Sequence, residues 1–137
     1  MTYTTVEARV SRVVDGDTIR VFLPNTNDDE SLRILYLDTE ESNAGGNKPV
    51  TPWGKSAKTR AELFFSEGDI VKLEFPGTED YDTCLKKYRG NYGRLLVTVH
   101  KDGEDFQETM IEEGFSPYFM KYGNAHCGEK HARYQQA

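Results

Sequence analysis

Apolar residues in the first third of the chain alternate with polar ones at the period of two that marks a half-buried strand. The stretch from Val6 to Val14 carries Val6, Ala8, Val10 and Val13-Val14, and Ile19, Val21 and Leu23 continue the alternation after a break. That break contains Asp15-Gly16, a hairpin signal, because the favoured tight turns need positive φ values that Asp and Gly tolerate. A polar loop from Pro24 to Ser31 leads to a third apolar run, Leu32 to Leu37. Three strands with short connections predict a meander.

The period then changes. Asn43 to Thr51 is loop chemistry, and Thr51 followed by Pro52 predicts an N-cap with proline in the first helical turn. Ala57, Ala61, Phe64 and Phe65 share one face of a helix running to Phe65, with Gly68 as its stop. Ile70 to Phe75 predicts a fourth strand and Arg94 to His100 a fifth. Between them, Pro76 to Tyr92 reads as a long polar loop carrying Lys86, Lys87 and Arg89, and long loops in compact domains are often functional. Phe106, Met110 and Ile111 predict a short helix stopped by Gly114, and a last helix is expected from Asn124 onward, short of apolar residues and frayed. This order predicts an α+β fold, mainly β: a five-stranded OB-type barrel with about three helices, residues 1–137 forming a single domain.

Composition narrows the class. With 137 residues, 36% hydrophobic and 29% charged, the chain is long enough to bury a core without disulfide or metal staples. No apolar run nears the roughly 18 residues of a membrane span, so no membrane partner is expected. Met1 to Thr5 carries no signal-peptide pattern, which leaves secreted and cytoplasmic locations both open. Cys84 and Cys127 have no metal-type spacing and are expected as free thiols, a single bridge being the alternative. The net charge of -6 argues against broad electrostatic attraction to nucleic acid. It leaves room for a small positive site made by a divalent cation and a few arginines.

Candidate chemistry sits at the ends of the first three strands. Asp15-Gly16-Asp17-Thr18 and Arg33-Ile34-Leu35-Tyr36-Leu37-Asp38-Thr39-Glu40-Glu41 place carboxylates and an arginine where packing alone would not require them. If the two segments meet, Asp17 and Asp38 can hold a hard cation, Arg33 can bind a phosphate and Glu41 can activate water. Phosphodiester hydrolysis needs those parts: a Lewis acid, charge-assisted donors for the developing negative charge, and a base. Hard oxygen ligands, including a backbone carbonyl near Thr39, suit calcium or magnesium and not zinc. In an ideal strand Arg33 and Asp38 point to opposite faces, so a shared site needs a bend or bulge between them.

Asp15-Gly16-Asp17-Thr18, Arg33-x-x-x-x-Asp38-Thr39-x-Glu41 and Tyr92-Gly93-Arg94, in that order with strands between, resemble the staphylococcal nuclease (thermonuclease) family over roughly residues 6 to 134. The resemblance implies an OB-fold barrel with three helices and calcium-dependent cleavage of DNA and RNA. It implies Asp17 and Asp38 as calcium ligands with the Thr39 carbonyl, Glu41 as general base, and Arg33 and Arg94 on the scissile phosphate. Tyr92 and Tyr122 are implied to contact the nucleotide, and the product to carry a 3′-phosphate. Single-stranded or frayed nucleic acid is the expected substrate and a monomer the expected state. Some positions depart from the family pattern. Glu40 stands where proline is usual, Gly90 and Asn91 where an Asp and a Lys are frequent, and the loop from Pro76 to Tyr92 is longer. These departures leave an alternative, a nuclease-like nucleic-acid-binding module whose catalysis is weak or lost.

Blander roles compete for each segment. Alone, Asp15 to Thr18 would be a hairpin turn, Arg33 and Asp38 a surface ion pair, Glu40-Glu41 a solvated loop, and Tyr92-Gly93-Arg94 a turn into a strand. Their joint occurrence reverses the balance. For His126, Cys127 and His131 the spacing matches no closed zinc site. Trp53, Phe64, Phe65, Phe75 and Phe106 are expected in the core, and Lys86, Lys87 and Arg89 in a solvated loop. Tyr118, Phe119 and Tyr122 fit either a core or a base-stacking role.

Overall fold

The computed structural model describes residues 3–24, 28–37, 52–90, 93–116 and 128–136, with the backbone alone for 52–54 and 128–129. Strand β1 (Thr5–Asp15) buries Ala8 and Val10 and is long enough to serve two neighbours. It pairs antiparallel with β2 (Thr18–Phe22) through its later half and with β4 (Ile70–Glu74) through its earlier half. Register shifts between Val10 and Arg12 and between Val13 and Asp15 mark bulges, which add the twist a strand needs to curl between two sheets. β2 pairs with β3 (Asp29–Ile34), and β4 with β5 (Leu95–Lys101), both antiparallel.

Closure comes from one short parallel seam. Leu32, Arg33 and Ile34 of β3 lie opposite Leu95, Leu96 and Val97 of β5. Leu32, Ile34, Leu95 and Val97 point inward and are fully buried, so the seam is held by apolar packing as well as by its backbone bonds. The result is the expected closed five-stranded barrel, to which β6 (Glu104–Asp105) adds two residues beside β5.

Four helices are present among the described residues: α1 (Pro52–Phe64), α2 (Tyr81–Lys87), α3 (Phe106–Glu112) and α4 (Gly128–Gln136). α1 lies on the barrel through Ala57 and Ala61, whose small side chains let the helix approach closely. At its end Phe64 and Phe65 meet Phe106 of α3, with ring centroids 4.8, 5.0 and 4.6 Å apart, an arrangement of tilted and edge contacts that aromatic rings favour. Phe75 is also core, as expected, while the side chain of Trp53 lies outside the described residues.

Several boundaries differ from the sequence expectation, each for a local reason. The hairpin is centred one residue later: Asp15 pairs with Thr18, so Gly16 and Asp17 make the connection. The third strand runs from Asp29 to Ile34, starting earlier and ending sooner than the apolar run from Leu32 to Leu37. Asp29 belongs to it because its carboxylate accepts from Arg20 on the adjacent β2 and from Ser11 on β1 beyond it, both at 3.0 Å. The strand stops because Leu35 and Tyr36 form a turn, with Tyr36 at φ 69°. The stretch expected as a polar loop before Tyr92 contains α2, capped by Asp80, whose side chain accepts from the Thr83 backbone N–H. The buried Cys84 is a free thiol on this helix.

The last helix is anchored where fraying was expected. Tyr134 is 1% exposed and donates to Asp105 at 2.6 Å, while Lys130 sits among His100, Glu74 and Asp105 at 2.7, 3.4 and 3.8 Å. Asp105 is also the N-cap of α3, accepting from the Glu108 N–H at 3.1 Å, and it takes a 2.6 Å bond from Gln107. One carboxylate thus joins β6, α3 and α4. Burial pushes the Asp105 carboxyl up, but the bonds from Tyr134 and Glu108 and the Lys130 charge outweigh it and hold its pKa below the ordinary value. Tyr134 moves upward, driven by burial and by the Asp105 charge.

Candidate active site

Asp17 stands in the β1–β2 connection with 13% of its side chain exposed. Its position is fixed from both sides: the backbone carbonyl accepts from the Ile34 N–H at 2.9 Å, and Oδ1 accepts from the Thr18 hydroxyl at 3.0 Å. Thr18 in turn lies opposite Arg33 in the β2–β3 ladder. This pairing brings the Arg33 guanidinium to 3.5 Å from Asp17 Oδ2. A second guanidinium nitrogen donates to the Ile34 carbonyl at 2.9 Å, which fixes the orientation of a side chain that is only 12% exposed. The two segments singled out in the sequence therefore do meet, through a hairpin end and a ladder rung.

Arg94 is placed by the start of β5. It directly precedes β5, and the seam sets Leu96 opposite Arg33. Strand alternation places Arg33, Leu96 and Arg94 on the outer face, because Leu32, Ile34, Leu95 and Val97 occupy the inner one. The turn before β5 is tight: the Gly90 N–H donates to the Arg94 carbonyl at 2.8 Å, and the Gly93 N–H to the Gly90 carbonyl at 3.1 Å. Gly93 has φ 73°, where an L-side chain is strained, and a Cβ on Gly90 would come within 2.9 Å of Leu96 Cδ2. Gly93 is thus required by the turn that precedes Arg94, while a side chain at Gly90 would need Leu96 to shift.

The bend required between Arg33 and Asp38 is present. β3 ends at Ile34 and Tyr36 takes a positive φ, so strand alternation no longer applies past that residue. A turn with positive φ normally takes Gly or Asn. Here Tyr36 holds it while 2% exposed, its ring centroid 6.0 Å from that of Tyr134. Asp38, Thr39 and Glu41, and likewise Tyr92 and Tyr122, lie outside the described residues, as do Glu40, Asn91, Tyr118, Phe119, His126 and Cys127. No group of three or more His, Cys, Asp or Glu side chains with metal-binding geometry occurs among the described residues. Asp17 itself fits a hard cation: it is an oxygen donor, mostly withdrawn from water and fixed in place by backbone bonds.

Arg89 is a correction to the expected solvated loop. Its side chain donates to Leu85 O at 2.7 Å, to Glu30 Oε1 at 2.8 Å and to Gly93 O at 3.0 Å. Lys87 pairs instead with Glu79, which also accepts from the Tyr88 hydroxyl at 2.8 Å. The Glu79 carboxyl is held down at a pKa of about 2, chiefly by Lys87, then by backbone and Tyr88 hydrogen bonds. A separate cleft of about 720 Å³ is lined by Glu74, His100, Asp105, Glu108, Lys130 and Arg133 among others. None of Asp17, Arg33 or Arg94 lines it, and its charges largely pair with one another. Of these missed residues Asp105 had a local signal, an Asp three positions before Glu108 at a helix start. Arg89 and Lys130 had none, since the carboxylates they meet, Glu30 for Arg89 and Glu74 and Asp105 for Lys130, are distant in the chain.

The fold and the site together define an OB-type barrel with an acid–arginine cluster at one end of its closing seam. The chain belongs to the staphylococcal nuclease homologue family, whose model matches residues 31–137. That match leaves out Asp17, which rests on the geometry described above. Among curated proteins, the chain is 34% identical over 111 residues to Endonuclease YncB of Bacillus subtilis (strain 168), covering 81% of this chain and 47% of the relative. It is 37% identical over 111 residues to the SPbeta prophage-derived endonuclease YokF of the same organism, covering 81% of this chain and 33% of the relative. The chain thus spans about half or less of the length of the relatives it matches.

Proposed function

We propose that this chain is a nuclease domain that hydrolyses phosphodiester bonds of DNA and RNA with calcium as cofactor, acting as a monomer on single-stranded or frayed substrate. The observation that carries the reading is the 3.5 Å approach of Asp17 and Arg33 at a mostly buried strand end, in a chain of the staphylococcal nuclease homologue family. The names of the two curated relatives support the reaction class. In this reading residues 1–137 form one domain.

Asp17, Asp38 and the Thr39 carbonyl would hold the calcium ion. When bound, the ion supplies a Lewis acid that polarises the phosphate and lowers the pKa of nearby water. Glu41 accepts the proton of the attacking water as the bond from phosphorus to the 5′-oxygen breaks, and the leaving 5′-oxygen takes a proton from solvent. Arg33 and Arg94 donate charge-assisted hydrogen bonds to the nonbridging oxygens, which gather charge as the pentacoordinate transition state forms. Tyr92 and Tyr122 orient the nucleotide. The net charge of -6 disfavours long duplexes, whose affinity depends on many cationic contacts, and favours flexible strands that need few.

The test is cleavage of a single-stranded oligonucleotide with calcium and with a chelator. Chelation should abolish cleavage, and Glu41→Gln and Arg94→Ala should each lower the rate by about two orders of magnitude with folding unchanged. Wild-type rates in either variant would sink the role assignment. Binding without cleavage at high protein and calcium would favour the nucleic-acid-binding module instead.

A further inference from the structure

We propose that Arg89 and Glu30 form a positioning strap that keeps Arg94 in register with Arg33; its catalytic consequence rests on the proposed function. The barrel is closed by three parallel residue pairs between β3 and β5, strands that lie far apart in sequence. Arg33 lies within that seam, and Arg94 just before its first β5 residue, Leu95. The buried Leu32, Ile34, Leu95 and Val97 fix which face each strand presents. Arg94, beyond the paired residues, takes its position from the turn that leads into β5.

Arg89 lies at the end of the seam where β5 begins. Its backbone bridges antiparallel to Leu95, and the Leu96 N–H donates to the Tyr88 carbonyl at 2.9 Å. Its guanidinium then spans three elements: the α2 end through Leu85 O, the Gly93-Arg94 turn through Gly93 O, and β3 through Glu30 Oε1. Glu30 sits two residues before Leu32, the first β3 member of the seam. The bond from Arg89 to Glu30 therefore ties β3 to β5 at the level where Arg94 leaves the turn. The planar fork of an arginine suits this role, since it fixes several acceptors at once, where a lysine would offer a point charge. Arg89 and Glu30 are 31% and 32% exposed in their side chains, and ion pairs of that exposure add little to stability. What the pair supplies is geometry, and misplacement of a phosphate-binding group by about 1 Å can cost up to a hundredfold in rate.

The experiment compares Glu30→Gln, Arg89→Gln and Arg89→Lys with wild type, each with and without Arg94→Ala, in the full chain. Arg60→Gln, which breaks a surface pair with Glu113 elsewhere, serves as control. Two readouts are taken: kcat and KM on a single-stranded oligonucleotide, and amide hydrogen exchange at Leu95 to Val97. The strap predicts faster exchange at those amides in Glu30→Gln and Arg89→Gln. It also predicts kcat lowered at least tenfold, incomplete rescue by Arg89→Lys, and no further loss when Arg94→Ala is already present. Unchanged exchange, or losses that multiply with that of Arg94→Ala, would overturn it. If wild type cleaves nothing while the exchange response appears, the strap stands and the nuclease reading falls.

Discussion

Tyr36 offers a test in which two opposing magnitudes decide the ranking of variants. Its side chain is buried at 2% exposure against Tyr134, and its backbone has φ 69°. Truncation to alanine loses the ring, which costs about 3–5 kcal/mol for an aromatic residue in a core, and keeps the backbone strain. Truncation to glycine loses the same ring but relieves a left-handed conformation worth roughly 1–2 kcal/mol. Against that relief stands the extra unfolded-state entropy of glycine, about 0.4–1 kcal/mol. The balance leaves Tyr36→Gly more stable than Tyr36→Ala by about 0.8 kcal/mol at the middle of these ranges, the reverse of the usual order. Urea unfolding followed by circular dichroism measures both variants against wild type. An alanine variant equal to or more stable than the glycine variant would refute the argument that packing holds Tyr36 in a strained turn. The functional counterpart is that glycine frees the bend leading to Asp38, so its calcium requirement for cleavage should rise more than its stability loss explains.

Other consequences follow from the charged groups. Asp17→Asn should weaken calcium binding measured by calorimetry, and an unchanged calcium titration would remove Asp17 from the ligand set. His100 has its pKa lowered from 6.5, first by burial and then by the Lys130 charge. The folded state therefore refuses a proton that the unfolded state accepts, and stability is fully present above pH 6.5 and declines as pH falls through the folded value. The slope is at most about 1.4 kcal/mol per pH unit for one proton. His100→Gln should flatten the dependence of unfolding free energy between pH 7.5 and 5.5; an identical slope in variant and wild type would contradict the burial argument. Asp105 acts in a lower window, its stabilisation persisting above pH 3.8 and failing below it, so the two groups are separable by pH.

What the sequence made legible divides along the range of the interactions involved. The barrel strands and α1 were readable because alternation and helical spacing are local, and Ile19, Leu32, Ala57 and Ala61 are buried as their periodicity predicts. The meeting of Asp17 with Arg33 was readable in outline, since a hairpin followed by a meander brings a turn and the third strand together. The third strand was misjudged at Leu35 because an apolar run does not reveal where φ changes sign; Tyr36 is bent by its packing on Tyr134, nearly a hundred residues away. α2 was hidden by its polarity, for only Cys84 on it is buried and its cap at Asp80 stands in a run of charges. The same limit applies to α4, where Lys130 and Tyr134 look like a polar face until Asp105, Glu74 and His100 are brought opposite them. Arg89 is the sharpest case. In the sequence it is one cation in a basic loop, while in the fold it also reaches Glu30, an acceptor that the closed seam brings to 2.8 Å. Site residues that act directly on a substrate can thus be named from type and spacing. Those that set the site's geometry act through contacts created by barrel closure, and they become visible only once the register of β3 against β5 is known.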